Sequence, residues 1–201
     1  MQVVAPPSSN MEPNYNIAPT QQIWVCAERD GERHLKQLRW GLVPYLVKEL
    51  PTKTFNARAE TISQKPTWKG SLNKKRCVIP ATSFYEWTGP REDRRPYSIQ
   101  RKDGKPLLFA GLWAYNNKID GEIRSATIIL CPPNDNMAKV HDRMPVILEP
   151  EQLDDWFDGH WSQQKQDMLR PCADDVLTAW PVGKIRGNHP GLAEPIGDRL
   201  F

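Results

Sequence analysis

The sequence predicts an α+β fold with a curved, mainly antiparallel sheet. Two observations carry this prediction. Short runs rich in β-branched and aromatic residues recur along the chain, and turn signals separate them. Proline is also frequent, at 19 of 201 residues. It disfavours long helices, because it lacks a backbone donor and clashes inside a helix. Several strands with only a few helices between and after them are typical of the α+β class.

Two hairpins are predicted. Residues 22–27 and 34–42 read as strands on either side of the turn signal Asp30-Gly31. Residues 96–101 and 107–115 flank a second turn signal at 102–105, and we expect them to pair in the same way.

Single strands are expected at 74–80, 124–131 and 176–182. The run 124–131 is the most apolar of these, which favours a central position in the sheet. We expect one helix to begin at Pro150 and another to cover 161–169.

No composition shift marks a boundary between domains. Residues 1–14 are rich in Pro and Ser, so we expect poor order there and a single domain over 15–201.

Composition also excludes several kinds of protein. The four cysteines form no CxxC pair, so we expect no zinc site. A glycine-rich phosphate loop is missing, so we expect no nucleotide cofactor. No signal peptide and no long apolar run is present, which indicates a cytoplasmic protein without a membrane span. A net charge of +3 allows nucleic-acid binding without arguing for it.

The motif Asn56-Ala57-Arg58-Ala59-Glu60 is the first candidate for function. In an extended strand its three polar side chains point to one face, where an amide, a guanidinium and a carboxylate can bind a phosphate. A solvated edge strand or a helix start is the alternative.

Two further motifs carry acid–base groups. Glu86 lies among aromatic residues in FYEW, where shielding from water raises the pKa of a carboxyl group. His141, Asp142 and Arg143 offer a proton carrier beside an anion binder. The alternatives are a surface glutamate and a structural histidine.

Aromatic and basic residues supply the last signals. Trp40 in RWGLVP is either a core residue or a stacking platform for a base, and Pro19 offers a flat ring beside a turn. Basic residues also cluster around Trp68. They form either a patch that binds a phosphate backbone or a solvated charged loop. They are Lys65, Lys69, Lys74, Lys75 and Arg76.

Taken in order, these blocks resemble the SRAP family of SOS-response-associated peptidase proteins. The resemblance rests on seven blocks: YNIAPTQ at 15–21, RWGLVP at 39–44, NARAE at 56–60, RCVIPA at 76–81, FYEW at 84–87, AGLW at 110–113 and HDRMPVIL at 141–148.

The resemblance implies a compact domain with a barrel-like sheet. It also implies a protein that shields abasic sites in single-stranded DNA. Family members capture the ring-opened sugar as a thiazolidine, using the thiol and α-amine of an N-terminal cysteine. We expect no metal and no cofactor, because the sequence has no clustered His or Cys set and no glycine-rich phosphate loop. We also expect a monomer associated with the nucleoid.

The resemblance also implies residue roles. Asn56, Glu86 and His141 would be catalytic: Asn56 positions the nucleophile or sugar, Glu86 shuttles protons and His141 acts on the sugar oxygen. Four residues would contact DNA: Pro19, Trp40, Arg58 and Arg143.

The printed chain departs from the family pattern at its start. It begins Met1-Gln2-Val3-Val4, whereas the family begins Met-Cys-Gly-Arg. A wrong start codon, a shortened chain or a paralogue would each account for this. Leu46 also replaces a tryptophan of many relatives. The alternatives left open are therefore a non-covalent binder of single-stranded DNA and a peptidase that acts on itself or on other proteins.

Overall fold

The computed structural model describes residues 11–119 and 121–201. Its strands are β1 (Gln22–Arg29), β2 (Glu32–Trp40), β3 (Asn56–Arg58), β4 (Arg76–Ala81), β5 (Phe84–Thr88), β6 (Arg95–Arg101), β7 (Leu107–Asn116), β8 (Ile123–Cys131), β9 (Met144–Pro145) and β10 (Leu177–Pro181). Its α-helices are α1 (Pro66–Leu72), α2 (Leu153–Phe157) and α3 (Gln163–Asp167).

The predicted poor order of residues 1–14 falls mostly outside the described residues, which begin at Met11. Residues 11–14 are exposed and have no regular secondary structure.

The larger sheet closes on itself. Its strands follow the order β2-β1-β4-β7-β8, and β2 then pairs in parallel with β8. These five strands form a closed, mixed, barrel-like sheet. Strands β3 and β9 each pair with β8 as well. The predicted α+β class and the curved, barrel-like sheet are thus confirmed.

A smaller antiparallel sheet has the order β10-β6-β5. The C-terminal tail runs along its outer side, where the Leu200 N–H donates to the Ala179 carbonyl at 2.7 Å. The Trp180 indole N–H donates to the Ala193 carbonyl at 2.9 Å. The tail therefore belongs to the packed structure.

The first predicted hairpin is confirmed. β1 and β2 pair in register from Gln22 opposite Arg39 to Arg29 opposite Glu32. Asp30 and Gly31 both have positive φ, 55° and 79°, as a two-residue hairpin turn requires.

The second predicted hairpin is wrong, because its two strands lie in different sheets. β6 pairs with β5 and β10, whereas β7 pairs with β4 and β8. The residues of the turn signal do form a turn, in which Asp103 accepts hydrogen bonds from Arg101 and from the Lys105 N–H. This connection carries the chain from one sheet to the other, and nothing in its sequence distinguishes it from a hairpin loop.

The predicted helices are present but short. The structure begins a 3₁₀ turn at Pro150 and continues it into α2, and α3 covers only Gln163–Asp167 of the predicted 161–169. Helix α1 was not predicted, although Pro66 at its first turn is a start signal. As predicted, β8 is central, because it pairs with four other strands.

Arg76 anchors α2 to the barrel and is no part of a DNA-binding patch. Its side chain is buried, at 4% exposure. It donates to six backbone carbonyls, those of Leu72, Asn73, Trp156, Phe157, Asp158 and Gly159. Trp68 is buried as well. The basic-patch prediction is therefore wrong for Arg76 and for the aromatic residue at its centre.

Gly111 of the AGLW block lies where strands approach closely. A Cβ atom added there would meet Ile79 Cδ1 at 2.3 Å and the Thr127 carbonyl oxygen at 2.7 Å. The backbone oxygen cannot move aside, so only glycine fits this position of β7.

We predict that Gly111→Ala lowers the melting temperature. Overpacking costs about 1–3 kcal/mol, and each kcal/mol corresponds to about 2–4 °C in a chain of this size. The matched control is Gly70→Ala in α1, where an added Cβ meets nothing within 4 Å. This control should be neutral or stabilising, since alanine favours a helix. Equal melting temperatures for Gly111→Ala and wild type would contradict the account.

Candidate functional site

Three of the predicted site residues stand in a row beside β8. Trp40, Asn56 and Arg58 each pair with a β8 residue, and the partners are Ala126, Ile128 and Leu130. Paired residues project to the same side of a sheet, and alternate residues of one strand share a face. The three side chains therefore stand on one face, about 7 Å apart along the strand.

Glu86 points toward this same face from the smaller sheet. Gly111 pairs with Ile128, so Phe109, two residues before Gly111, lies on the face that carries the row. The Phe84 ring packs edge-on against Phe109, with ring centroids 5.7 Å apart. Glu86 follows Phe84 by two residues in β5 and shares its direction. Below, the side of the barrel that bears Phe109 is called the Phe109 face.

His141 meets Glu86 from the loop that precedes β9. The backbone N–H of His141 donates to the Met137 carbonyl at 2.9 Å, which fixes the loop. Its Nε2 atom lies 3.8 Å from Glu86 Oε2. Both side chains keep limited access to solvent, at 38% exposure for His141 and 25% for Glu86.

The other ring nitrogen of His141 has both a donor and acceptors around it. The Arg143 N–H donates to Nδ1 at 3.1 Å. The Arg143 carbonyl and Asp142 Oδ1 lie 3.2 and 3.3 Å from the same nitrogen. Nδ1 can therefore accept a hydrogen bond when the ring is neutral and donate one when it is charged.

Arg143 and Arg58 flank one carboxylate. Arg143 Nη1 is hydrogen-bonded to Glu60, which ties the His141 loop to the end of β3. Burial disfavours the charged form of Glu60, but backbone hydrogen bonding and the guanidinium of Arg143, assisted by Arg58, bring its pKa below the usual value. Glu60 is thus an ionised partner that two cations share.

The prediction that Asn56, Arg58 and Glu60 share one strand face is wrong for Glu60. The strand ends at Arg58, and Ala59–Thr61 form a 3₁₀ turn. This turn is what directs Glu60 toward Arg143.

Pro19 lies beside Trp40 at the tip of a tight turn. The Gln21 N–H donates to the Ala18 carbonyl at 3.1 Å across Pro19 and Thr20. Thr20 has φ 79°, which is unusual for a β-branched residue. The Thr20 N–H donates to the Trp40 carbonyl at 2.8 Å, so the turn is fixed against the end of β2.

Burial is the main reason why the pKa of Glu86 is raised. Desolvation penalises its charged form, and the nearby Asp142 carboxylate adds to the effect. His141 and the Trp87 backbone N–H oppose it. A carboxyl group with a raised pKa beside an imidazole can donate or accept a proton near neutral pH.

The described cysteines offer no nucleophile. Cys26, Cys77 and Cys131 are buried and Cys172 is half-buried. Burial raises the pKa of the Cys131 thiol to about 12 and that of Cys172 to about 11. Thiols of this kind stay protonated at neutral pH and react slowly.

The structure therefore brings Asn56, Glu86 and His141 to the same side of the barrel, with Trp40 and Arg58 in the same row as Asn56. Two residues next to the predicted ones were given no role of their own in the sequence. Asp142 contacts the His141 ring. Trp87 follows Glu86 in β5, so its side chain leaves the other side of that strand, where it is 40% exposed. Such an exposed tryptophan is a candidate stacking surface. Its place next to the acidic residue of FYEW was the available signal.

Across residues 11–119 and 121–201, no group of three or more His, Cys, Asp or Glu side chains is arranged to hold a metal ion. In the same part of the chain, no helix is both long and apolar enough to cross a membrane.

Comparisons with known proteins identify the family to which the chain is similar. A model of the family described as SOS response associated peptidase (SRAP) matches residues 1–188. The abasic site processing protein YoqW of Bacillus subtilis is 37% identical over 198 residues, covering 94% of this chain and 88% of the relative. YobE of the same organism, also named an abasic site processing protein, is 37% identical over 194 residues, with 94% and 88% covered.

A crystal structure of a protein from Bacteroides thetaiotaomicron has the same fold. It superposes with a TM-score of 0.84 at 24% identity and covers 93% of this chain and 87% of that protein.

We predict that Glu86→Gln raises the melting temperature near pH 8 and leaves it nearly unchanged near pH 4. A carboxyl group whose pKa is raised by folding stabilises the fold fully below its unfolded pKa of about 4.3. That contribution is lost as the pH rises through the folded pKa. Glutamine keeps the neutral form at every pH, and each kcal/mol so relieved corresponds to about 2–4 °C.

The matched control for this experiment is Glu92→Gln at an exposed position, which should shift neither melting curve. A lower melting temperature for Glu86→Gln at pH 8, with no change at pH 4, would show that the ionised Glu86 stabilises the fold and would contradict the prediction.

Proposed function

Because this chain belongs to the SOS response associated peptidase (SRAP) family, we propose that it binds single-stranded DNA and processes abasic sites on its Phe109 face. The observation that carries the proposal is the 3.8 Å approach of His141 to Glu86, on the side of the barrel that bears Asn56 and Arg58.

The chemistry of an abasic site suits these groups. Its sugar opens to an aldehyde, flanked by two phosphates and lacking a base. The Asn56 amide can donate to a sugar oxygen, and Arg58 and Arg143 can bind the phosphates, since guanidinium groups form strong charge-assisted hydrogen bonds with phosphate. In this proposal, phosphate exchanges for Glu60 as the partner of Arg143.

Covalent capture would use an amine and a thiol from an N-terminal cysteine. The amine nitrogen bonds to the aldehyde carbon and gives up two protons, and the aldehyde oxygen gains two protons and leaves as water. Glu86 in its neutral form supplies a proton to the oxygen, and His141 takes a proton from the amine nitrogen and passes it back to Glu86. The thiol sulfur then bonds to the resulting C=N carbon, and its proton ends on the ring nitrogen, which closes a thiazolidine.

None of the described cysteines can replace that residue. They are shielded from solvent and their pKa values are raised. They also lack the adjacent α-amine, whose pKa of about 7.7 leaves it partly neutral at physiological pH. Covalent capture therefore calls for a start that supplies an N-terminal cysteine. Reversible binding of single-stranded DNA, without a bond to the sugar, is the second candidate function.

We predict that the protein binds a single strand with one tetrahydrofuran abasic analogue more tightly than the intact strand, and that Asn56→Ala removes most of this difference. The lost hydrogen bond should weaken binding of the analogue strand about three- to tenfold. Fluorescence anisotropy measures both affinities. The matched control is Asn117→Ala at an exposed position, which should keep the wild-type preference.

Equal affinities of the wild type for the two strands would contradict the lesion site.

For covalent capture, protein extended to begin Met-Cys should form a denaturation-resistant adduct with a true abasic strand. Loss of the adduct on changing that cysteine to serine would confirm the chemistry.

We further predict that Arg58→Gln flattens the salt dependence of single-strand binding. Each phosphate contact contributes about 0.7 to the slope of log affinity against log salt. A variant that lacks one contact should therefore have a slope smaller by about that amount. The control is Arg29→Gln on the β1–β2 hairpin, whose side chain is 84% exposed. An unchanged slope for Arg58→Gln would remove Arg58 from the phosphate contacts.

A further inference from the structure

A cavity of about 220 Å³ lies at the Trp40 end of the row. Its walls include the side chains of Trp40 and Phe55, and Leu50, Pro51 and Thr52 form part of its boundary. Thr20, from the Pro19 turn, contributes to it as well. Leu50 is half-exposed and Thr52 exposed, so the cavity is bounded in part by surface residues.

The two aromatic walls are held firmly. The rings of Trp40 and Phe55 meet edge to face, at 83° and 6.5 Å between centroids. The Trp40 indole N–H donates to the Phe55 carbonyl at 2.8 Å, which fixes the plane of the indole. The same carbonyl accepts the Ile128 N–H at 3.1 Å, so the wall is tied to β8. Preorganised aromatic surfaces lose little entropy when a flat ring stacks on them.

The cavity also has polar groups along its boundary. Arg39 lines it, and its Nη1 donates to the Gly41 carbonyl at 3.0 Å. Gly41 has φ 122°, a conformation that favours glycine, and a Cβ there would lie 2.6 Å from Arg39 Nη1. Thr54, which is 9% exposed, lines the cavity too, and its hydroxyl has no hydrogen-bond partner among the described residues.

The position of the cavity indicates its ligand. Phe55 immediately precedes Asn56, and Trp40 stands one step of the row, about 7 Å, from Asn56. A strand that has its abasic sugar at Asn56 and follows the row toward β2 brings its next nucleotide close to Trp40. Aromatic walls with a guanidinium nearby are suited to a base, which stacks on the rings and presents polar edges to donors.

We propose that this Trp40–Phe55 cavity holds the base of the nucleotide adjoining the abasic site. The inference rests on the proposed function, since it places the lesion at Asn56. It adds a second point of recognition: the protein reads the missing base at one position and a base that is present at the next. The affinity should then depend more on the nucleotide on one side of the lesion than on the nucleotide on the other side.

The test uses a single strand with one tetrahydrofuran lesion. The nucleoside on its 5′ side or on its 3′ side is replaced by a three-carbon spacer, which keeps the phosphates and removes the base. For the wild type we expect a loss of about tenfold in affinity for the spacer on one side only. Spacers without effect, or with equal effects on the two sides, would overturn the proposal. This arm needs no variant.

A variant assigns the effect to the cavity. Phe55→Leu removes an aromatic wall and should reduce the one-sided loss to less than twofold, provided that its melting curve shows a folded protein. The matched control is Tyr45→Leu, since Tyr45 is an exposed aromatic residue outside the cavity lining. It should keep the tenfold loss. A Phe55→Leu protein that keeps the loss, or a Tyr45→Leu protein that abolishes it, would place the base elsewhere.

Failure of the proposed function gives a different result. In that case the wild type binds lesion and intact strands equally, or binds neither, whatever the neighbouring nucleoside. Failure of the cavity proposal leaves the preference for the lesion and removes only the dependence on its neighbour.

Discussion

The site depends on one contact between two sheets, in which the Glu86 carboxyl group of the smaller sheet approaches the His141 imidazole beside the barrel. Neither residue reaches the other through its own sheet. The contact exists because Phe84 packs edge-on against Phe109 and so docks the smaller sheet on the barrel. A change in that packing would separate the acid from the base without altering either residue.

Two features of the scaffold hold the barrel and its helices together behind this contact. Arg76 joins the end of α1 and the end of α2 through six backbone carbonyls, and Gly111 allows strands of the barrel to approach closely. The functional face carries the opposite features: a carboxyl group with a raised pKa in Glu86 and a β-branched residue at positive φ in Thr20. Such features cost stability and are typical of sites selected for binding or chemistry.

Much of this arrangement could be predicted from the sequence, because the signals were local. The Asp30-Gly31 turn predicted the first hairpin, and the apolar run of β8 predicted a central strand. The raised pKa of Glu86 followed from its aromatic neighbours. The order of seven short blocks indicated the family, which in turn implied the barrel and the site residues.

The errors came from information that is not local. The signal at 102–105 cannot show that its two flanking strands enter different sheets. The positive charge of Arg76 favoured a position exposed to solvent. In the structure its side chain is buried, and its hydrogen bonds to six backbone carbonyls offset the cost of burying the charge. Glu60 leaves the face of Asn56 because the strand ends after Arg58. The Trp40–Phe55 cavity joins residues from separate segments, so no single motif contains it.

The most direct test of the account is an NMR titration that follows the His141 ring signals. Unlabelled single strands are added, one with a tetrahydrofuran abasic analogue and one intact strand of the same sequence. If the lesion lies between Asn56, Glu86 and His141, the His141 signals should shift strongly with the analogue strand and far less with the intact strand. Equal shifts with both strands, or no shift with either, would contradict a lesion site built on the Glu86–His141 contact.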